Sequence, residues 1–410
     1  MKLIYMIKRP LTARDIERFG IRHFVHRGHE IEVWDLSEVI HPQLDNRRSA
    51  TPLDRTLTYR TFNSWCDVNL HASWLKAADL VVFLVHSYKV SRASFRALRL
   101  ISRLNVPYLL LAPALYPVHD SPAPVPLMDR IKALKRRFSE VEVLNSILAR
   151  IPRSWLGIAP ARFVVFNGLA SCTGNDLIGS TTRPIHGHTH DLEMIRAHAG
   201  EGQKQQLAVF LDVFMPHHPD MQVERGRVVP KADDYYAVMR RFFDAFEAAT
   251  DLSVVIAAHP RADYTATDPR FGGRSVRFGE TAQLIASSQM VIAHHSTAIG
   301  MAVALRKPIF LTATGDILRA LWRERPAFNG FASALGIRLH VLDGPEPLDL
   351  KVPLKVEAEK YSRYERLYLK HPFAEDRPLW DIVEDAITAE NLPEYESVPP
   401  MRAGRAAHLE

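Results

Sequence analysis

The chain is poor in cysteine, in net charge and in long uncharged apolar runs. It holds two cysteines, Cys66 and Cys172, in 410 residues. Two thiols build neither a disulfide scaffold nor a cysteine-based zinc site, and such scarcity points to a reducing compartment. Lys and Arg number 52 against 46 Asp and Glu, a formal excess of +6. That excess is too small and too spread for a nucleic-acid binder, and no nucleic-acid motif accompanies it. Met1–Ile7 is apolar, but Lys8, Arg9 and Pro10 end it short of a signal-peptide core. The long stretch Gln283–Leu305, without formal charge, carries Gln283, Ser287, Ser288, Gln289, His294, His295, Ser296 and Thr297. Those polar groups are too costly in lipid for a spanning helix. No internal repeat is visible. The expectation is a soluble, cytoplasmic protein, with an apolar content of 47% that excludes intrinsic disorder.

What is present is a strand–helix alternation. Lys2–Ile7 reads as a strand, Thr12–Arg27 as a helix ended by Gly28, and Glu30–Leu36 as a second strand. Leu80–Val85 is a continuous apolar run of the kind buried on both faces. Ser91–Leu104 reads as a helix, Val106–Ala112 and Arg162–Asn167 as further strands. Pro113–Pro126 reads as a proline-rich loop, and 129–151 as a basic helix with Lys132, Lys135, Arg136 and Arg137. The second half repeats the design, with strands at Leu207–Leu211, Leu252–Ala257, Met290–Ala293, Lys307–Leu311 and Leu339–Leu342. Between them lie helices at Asp233–Thr250, Thr281–Ser288 and Ala298–Leu305. Such units imply parallel, doubly wound sheets. The predicted fold is α/β, with two Rossmann-like domains in the GT-B manner of nucleotide-sugar enzymes. The divisions are drawn at 1–200, 201–350 and a helical tail, 351–410, packing back on the N-terminal domain.

Histidine is abundant, at 19 residues, and clustered. In open α/β sheets ligands sit beyond the carboxyl ends of the strands. Three polar clusters of the second domain fall at such ends. Asp212 follows one strand, with His217, His218 and Asp220 just beyond. His259-Pro260-Arg261 follows the next. His294-His295-Ser296-Thr297 follows a third and opens a small-residue helix. Hydroxyls and free N–H groups at a helix start suit a phosphate, although a plain N-cap uses the same residues. Glu280 and Thr281 open the preceding helix, where Glu280 suits a ribose or base edge.

Val254–Arg261 (VVIAAHPR) and Glu280–Leu311 (ETAQLIASSQMVIAHHSTAIGMAVALRKPIFL) together resemble the bacterial sialyltransferase and Kdo-transferase type of GT-B enzyme. The wider pattern is similar to capsule and surface-polysaccharide transferases and to nucleotide-sugar 2-epimerases. The likeness spans residues 205–312. It implies a CMP-activated 3-deoxy-ulosonic acid as donor, of sialic, Kdo, legionaminic or pseudaminic type, and a glycan or lipid-linked glycan as acceptor. No metal or further cofactor is implied. His259 would bind the CMP phosphate and assist its departure, Ser296 and Thr297 would cradle it with His295 nearby, and Arg261 would add charge or hold the sugar carboxylate. The acidic motif of that group, two acidic residues then glycine, is absent here. Asp212 is therefore the leading catalytic carboxylate, followed by Asp220 and Asp191.

A rival reading comes from Ile185–Leu192 (IHGHTHDL). If extended, this segment puts His186, His188 and His190 on one side with Asp191 beside them, a ligand set for zinc, iron or manganese in a metal-dependent hydrolase. Under the transferase reading, His188 and His218 face the acceptor or the cleft instead. A UDP-sugar enzyme or epimerase is the other alternative. The basic helix 129–151 is suited to peripheral contact with an anionic membrane.

Overall fold

The computed structural model describes residues 1–41, 57–85, 90–112, 116–118, 140–172, 175–198, 200, 205–217, 230–320, 325–350 and 356–389. The chain forms two compact units. Unit 1 comprises Met1–Pro113, Pro126–His188 and His371–Glu410; unit 2 comprises Ala114–Val125 and Thr189–Lys370.

Unit 1 is built on seven parallel strands: β1 (Lys2–Ile7), β2 (Glu30–Asp35), β3 (Thr58–Thr61), β4 (Leu80–Phe83), β5 (Tyr108–Ala112), β6 (Phe163–Phe166) and β7 (Arg183–His186). Their order is β3-β2-β1-β4-β5-β6-β7. Side chains alternate between faces, so both faces must be covered. Ile4, Met6, Val81, Phe83 and Leu110 meet Ala97, Leu98 and Ile101 of the helix Arg92–Arg103. Leu3, Tyr5, Val33, Val165 and Ile185 meet Ile21, Phe24, Trp380 and Val383 on the other face.

Unit 2 repeats the design with six parallel strands: β8 (Leu207–Leu211), β9 (Ser253–Ala257), β10 (Val276–Arg277), β11 (Met290–Ala293), β12 (Ile309–Ala313) and β13 (Leu339–Val341). Their order is β10-β9-β8-β11-β12-β13. The helix Ala232–Thr250 lays Tyr235, Tyr236, Met239, Phe242, Phe243 and Phe246 over one face, against Phe210, Val254 and Ile256. Val209, Leu211 and Ala293 face Leu192, Ile195, Ile299, Met301 and Val303 on the other. Both sheets have the doubly wound order in which the strand sequence reverses beside the first strand, and the two Rossmann-like units predicted from the sequence are present. In unit 2 that reversal lies between β8 and β11, where the doubly wound rule places a ligand crevice.

Several local expectations are revised. Thr12–Arg27 is not one helix but two, Ala13–Arg18 and Ile21–His26, broken at Gly20 with φ +70°. A Cβ on Gly20 would lie 2.2 Å from Trp380 Cδ2, so the missing side chain admits the indole of a distant helix. The edge strands β3, β7 and β10 gave no apolar run, because each is short and only partly buried. Apart from the segment Ala114–Val125, the chain passes between units at 188–189 and 370–371, beside the divisions at 200 and 350 expected from the sequence. The tail is shared accordingly. Ala358–Tyr364 and a π-helical turn at Glu365–Leu369 belong to unit 2, while the helix Leu379–Thr388 belongs to unit 1.

That last helix is clasped by polar groups as well as by Trp380. Glu384 accepts N–H bonds from His23 Nε2 at 2.9 Å and His29 Nε2 at 2.8 Å, and Asp381 accepts one from Arg27 at 2.9 Å. Removing a partly buried acceptor leaves two donors unmatched, at about 1–3 kcal/mol. Glu384→Ala should therefore lower stability by about 1–2 kcal/mol, read as a shift in the urea midpoint.

Candidate functional site at the carboxyl edge of the second sheet

Asp212 follows the last residue of β8, His259 lies two residues beyond β9, and His294 and His295 directly follow β11. Parallel register fixes this neighbourhood: Leu211 pairs with both Ala257 and Ala293. The three clusters read from the sequence therefore share one sheet edge.

Asp212 is buried, and its Oδ2 accepts the backbone N–H of His259 at 3.3 Å. Burial pushes its carboxyl up to about 7, while donors at His259, Phe214 and Tyr264 and the charge of Arg270 oppose that rise. The carboxyl thus exchanges its proton near neutrality and anchors the turn that carries His259. The His259 ring is half-buried and lies parallel to Phe214, at 6.2 Å between centroids and 9° between planes. Its Nδ1 accepts the backbone N–H of Arg261 at 3.2 Å. In the neutral ring the proton therefore resides on Nε2. Phe214 sits at φ +54°, a strained conformation for a bulky residue, and its ring also meets His217 and Tyr264. Arg261 is exposed beside it.

Behind the edge lies a tyrosine network that the apolar helix pattern concealed. Tyr236 and Tyr264 hydroxyls are 3.1 Å apart, and the Tyr235 hydroxyl is 3.1 Å from His294 Nε2. His294 Nδ1 donates to the Thr312 carbonyl at 2.9 Å, so Nε2 accepts from Tyr235. Burial pushes His294 down to about 4, which keeps it neutral at physiological pH. It is a residue of the fold, not a cation for a phosphate. The available signal was the tyrosines themselves, whose hydroxyls need partners when buried.

Ser296 is half-buried and Thr297 exposed at the start of the helix Ile299–Ala304. Ser296 Oγ accepts the Ala298 N–H at 3.3 Å, so it already serves a local turn. Gly300 of this helix has a packing cause: a Cβ there would lie 2.5 Å from Leu369 Cδ2. His295 rests on Phe328, 4.7 Å between centroids. Glu280 is the N-cap residue of the helix Thr281–Ser287 without a side-chain bond to it, and Thr281 opens that helix, half-buried. Lys307 is buried and donates through Nζ to the Ala286 and Ser288 carbonyls, closing the end of the same helix.

The remaining candidates lie elsewhere. Asp191 sits in the first turn of the helix His190–Ala197, whose Leu192 and Ile195 pack on the face of the sheet opposite the tyrosine network. His188 is buried and donates through Nε2 to the Arg377 carbonyl at 3.0 Å, a contact within unit 1 that serves the fold. His218 and Asp220 lie outside the described residues, as do Lys132, Lys135, Arg136 and Arg137.

The histidine segment is not drawn together. His186 ends β7 and stacks on His371 at 4.0 Å, His188 is held by Arg377, and His190 starts the next helix 3.7 Å from Glu193. Among the described residues, the group with metal-ligand spacing is His23, Asp381 and Glu384, where Arg27 already engages Asp381.

No protein-family model matches the chain, and no curated protein does. Among solved structures, the chain is similar to UDP-GlcNAc 2-epimerase from Methanocaldococcus jannaschii at 11% identity and a TM-score of 0.44, covering 94% of this chain and 99% of that one. It is similar to the wall teichoic acid polymerase TagF at 10% identity and a TM-score of 0.47, covering 90% and 84%. It is also similar to the calicheamicin glycosyltransferase CalG4 at 12% identity and a TM-score of 0.43, covering 88% and 89%. The functional reading rests on the chain's own residues.

Proposed function

We propose that this chain is a glycosyltransferase whose unit 2 holds a nucleotide-sugar donor at the carboxyl edge of β8, β9 and β11. The observation that carries the reading is the His259 turn, tied to buried Asp212 and set so that Nε2 bears the proton. In glycosyl transfer an acceptor hydroxyl attacks the anomeric carbon and gives up its proton to a general base or to solvent while the bond to the donor phosphate breaks. The departing phosphate gains negative charge as it leaves. A pre-set N–H donor aimed at that charge lowers the barrier without reorganising. His259 fills that part, with Arg261 supplying exposed positive charge. Ser296, Thr297 and His295 follow the strand on the other side of β8, on the donor's side in this scheme, and Glu280 and Thr281 stand at the start of the helix before that strand.

The resemblance of Val254–Arg261 and Glu280–Leu311 supports the finer reading of the donor as a CMP-linked 3-deoxy-ulosonic acid. Arg261 suits that sugar's carboxylate, because a planar guanidinium engages a carboxylate in two parallel bonds. The acceptor is a surface glycan or lipid-linked glycan, assigned to unit 1. Asp212 is a positioning residue in this scheme, since its carboxylate bonds the turn and is shut away from solvent. No metal enters the scheme.

Thermal-shift measurements against CMP, UDP, GDP and CDP test the donor directly. Stabilisation by CMP above the others is expected. A clear preference for UDP would replace the ulosonate donor with a UDP-sugar, and no response to any nucleotide would remove the donor site.

A further inference from the structure

Unit 1 carries a surface that the transfer chemistry does not use. The helix Arg92–Arg103 places Arg92, Arg96, Arg99 and Arg103 at spacings of four, three and four residues, which is one stripe on its outer side. All four are exposed, and none has an ion-pair partner among the described residues. Arg96 lies 6.0 Å from the Trp65 ring centre and Arg99 6.0 Å from that of Phe95, while Arg103 reaches Asn69 Oδ1 at 3.4 Å. These six residues line a cleft of about 370 Å³.

Exposed apolar side chains adjoin the stripe. Asn145 of the helix Glu140–Leu148 accepts the Arg92 N–H at 2.7 Å, and that helix exposes Leu144 and Ile147. The turn at Gly157 approaches Arg99, with Trp155 two residues away and 83% exposed. Leu70, next to Asn69, is 76% exposed. Four like charges left unpaired on one helix repel one another, and an anionic partner relieves that. A soluble polyanion would answer the arginines alone and leave the indole and the aliphatic groups in water. A bilayer with anionic headgroups answers both, because arginine bonds lipid phosphates while tryptophan and aliphatic groups enter the headgroup boundary.

We propose that this face of unit 1, formed by the arginine stripe, Trp155, Leu144, Ile147 and Leu70, docks on an anionic lipid surface. The arginine stripe is separate in sequence from the segment 129–151, to which Leu144 and Ile147 belong, and the inference does not rest on the donor assigned to unit 2.

Co-sedimentation of the full chain with vesicles tests it. Binding to phosphatidylcholine vesicles that contain phosphatidylglycerol should exceed binding to phosphatidylcholine alone by about tenfold or more, and should weaken as salt rises. Arg96→Glu with Arg99→Glu and Arg103→Glu should lower it by about tenfold or more. Trp155→Ala should lower it severalfold while keeping its salt dependence. Since all these side chains are exposed, each variant should melt like the wild type; the gentler Gln triple variant replaces the Glu one if that one does not. Equal binding to neutral and anionic vesicles, binding unaffected by the arginine changes, or no vesicle binding would each overturn the proposal. So would binding of soluble polyphosphate by a chain that ignores vesicles.

Discussion

His259→Ala should reduce glycosyl transfer by about 10²-fold or more while leaving the thermal melt close to that of the wild type. In the proposed scheme the imidazole donates to the leaving phosphate. Removing one pre-organised donor to a developing charge costs about that much in other enzymes. The turn itself should survive, because its link to Asp212 runs through the His259 backbone N–H, which alanine keeps. The loss should fall mainly on kcat, since the donor strengthens as charge develops, and less on the donor KM. Initial rates with varied donor concentration measure both. Transfer near the wild-type rate would refute the role given to His259.

Asp212→Asn should stabilise the fold at pH 8 by an amount that vanishes near pH 4. The buried carboxyl of Asp212 is pushed up to about 7 in the folded chain, against about 3.9 in an unfolded one. Between those values the unfolded chain has released the proton and the folded chain still holds it. Unfolding then releases a proton, so stability falls as pH rises from about 4 to about 7 and levels off above. A separation of about three pK units corresponds to roughly 4 kcal/mol as an upper scale. Asparagine mimics the protonated form and lacks the titration, so the gap between variant and wild type should open across that window. Urea unfolding at pH 4.5, 6 and 8 reads it directly. The positioning role has its own readout: the variant's transfer rate should lose an inflection near pH 7 while its activity at lower pH persists. A constant stability difference at all three pH values would show that Asp212 does not hold its proton into the neutral range.

Much of the fold was legible because buried parallel strands must be apolar on both faces. Leu80–Phe83, Tyr108–Ala112 and Leu207–Leu211 announce themselves for that reason. The edge strand Arg183–His186 did not, since an edge packs on one side and tolerates Arg, Pro and His. The break between the first two helices was hidden as well. Gly20 signals little by itself, and its cause is Trp380, 360 residues away in sequence. The helix opened by Ser296 and Thr297 shows the opposite hazard. Its small residues suggested room for a phosphate, and Gly300 proves to be small because Leu369 packs on it.

The candidate site divided in a similar way. Placing His259, Asp212 and the His294-His295 pair at one sheet edge required only strand periodicity and the doubly wound rule, and register holds them there. Telling them apart required three dimensions. His294 looks as available as His259 in the sequence, yet it is buried between Tyr235 and Thr312 and stays neutral at physiological pH. His186, His188 and His190 alternate as a ligand set would. The strand ends at His186 and a helix starts at His190, so the three rings turn to His371, Arg377 and Glu193.

By itself, then, the sequence determined two doubly wound sheets and the edge where polar groups collect, because burial on both faces of a strand writes itself into consecutive residues. Only the tertiary structure decided which of those groups are shut inside, which are braced by a neighbour's backbone, and which arginines stand unpaired. Those properties depend on contacts between residues far apart in the chain, and no local pattern records them.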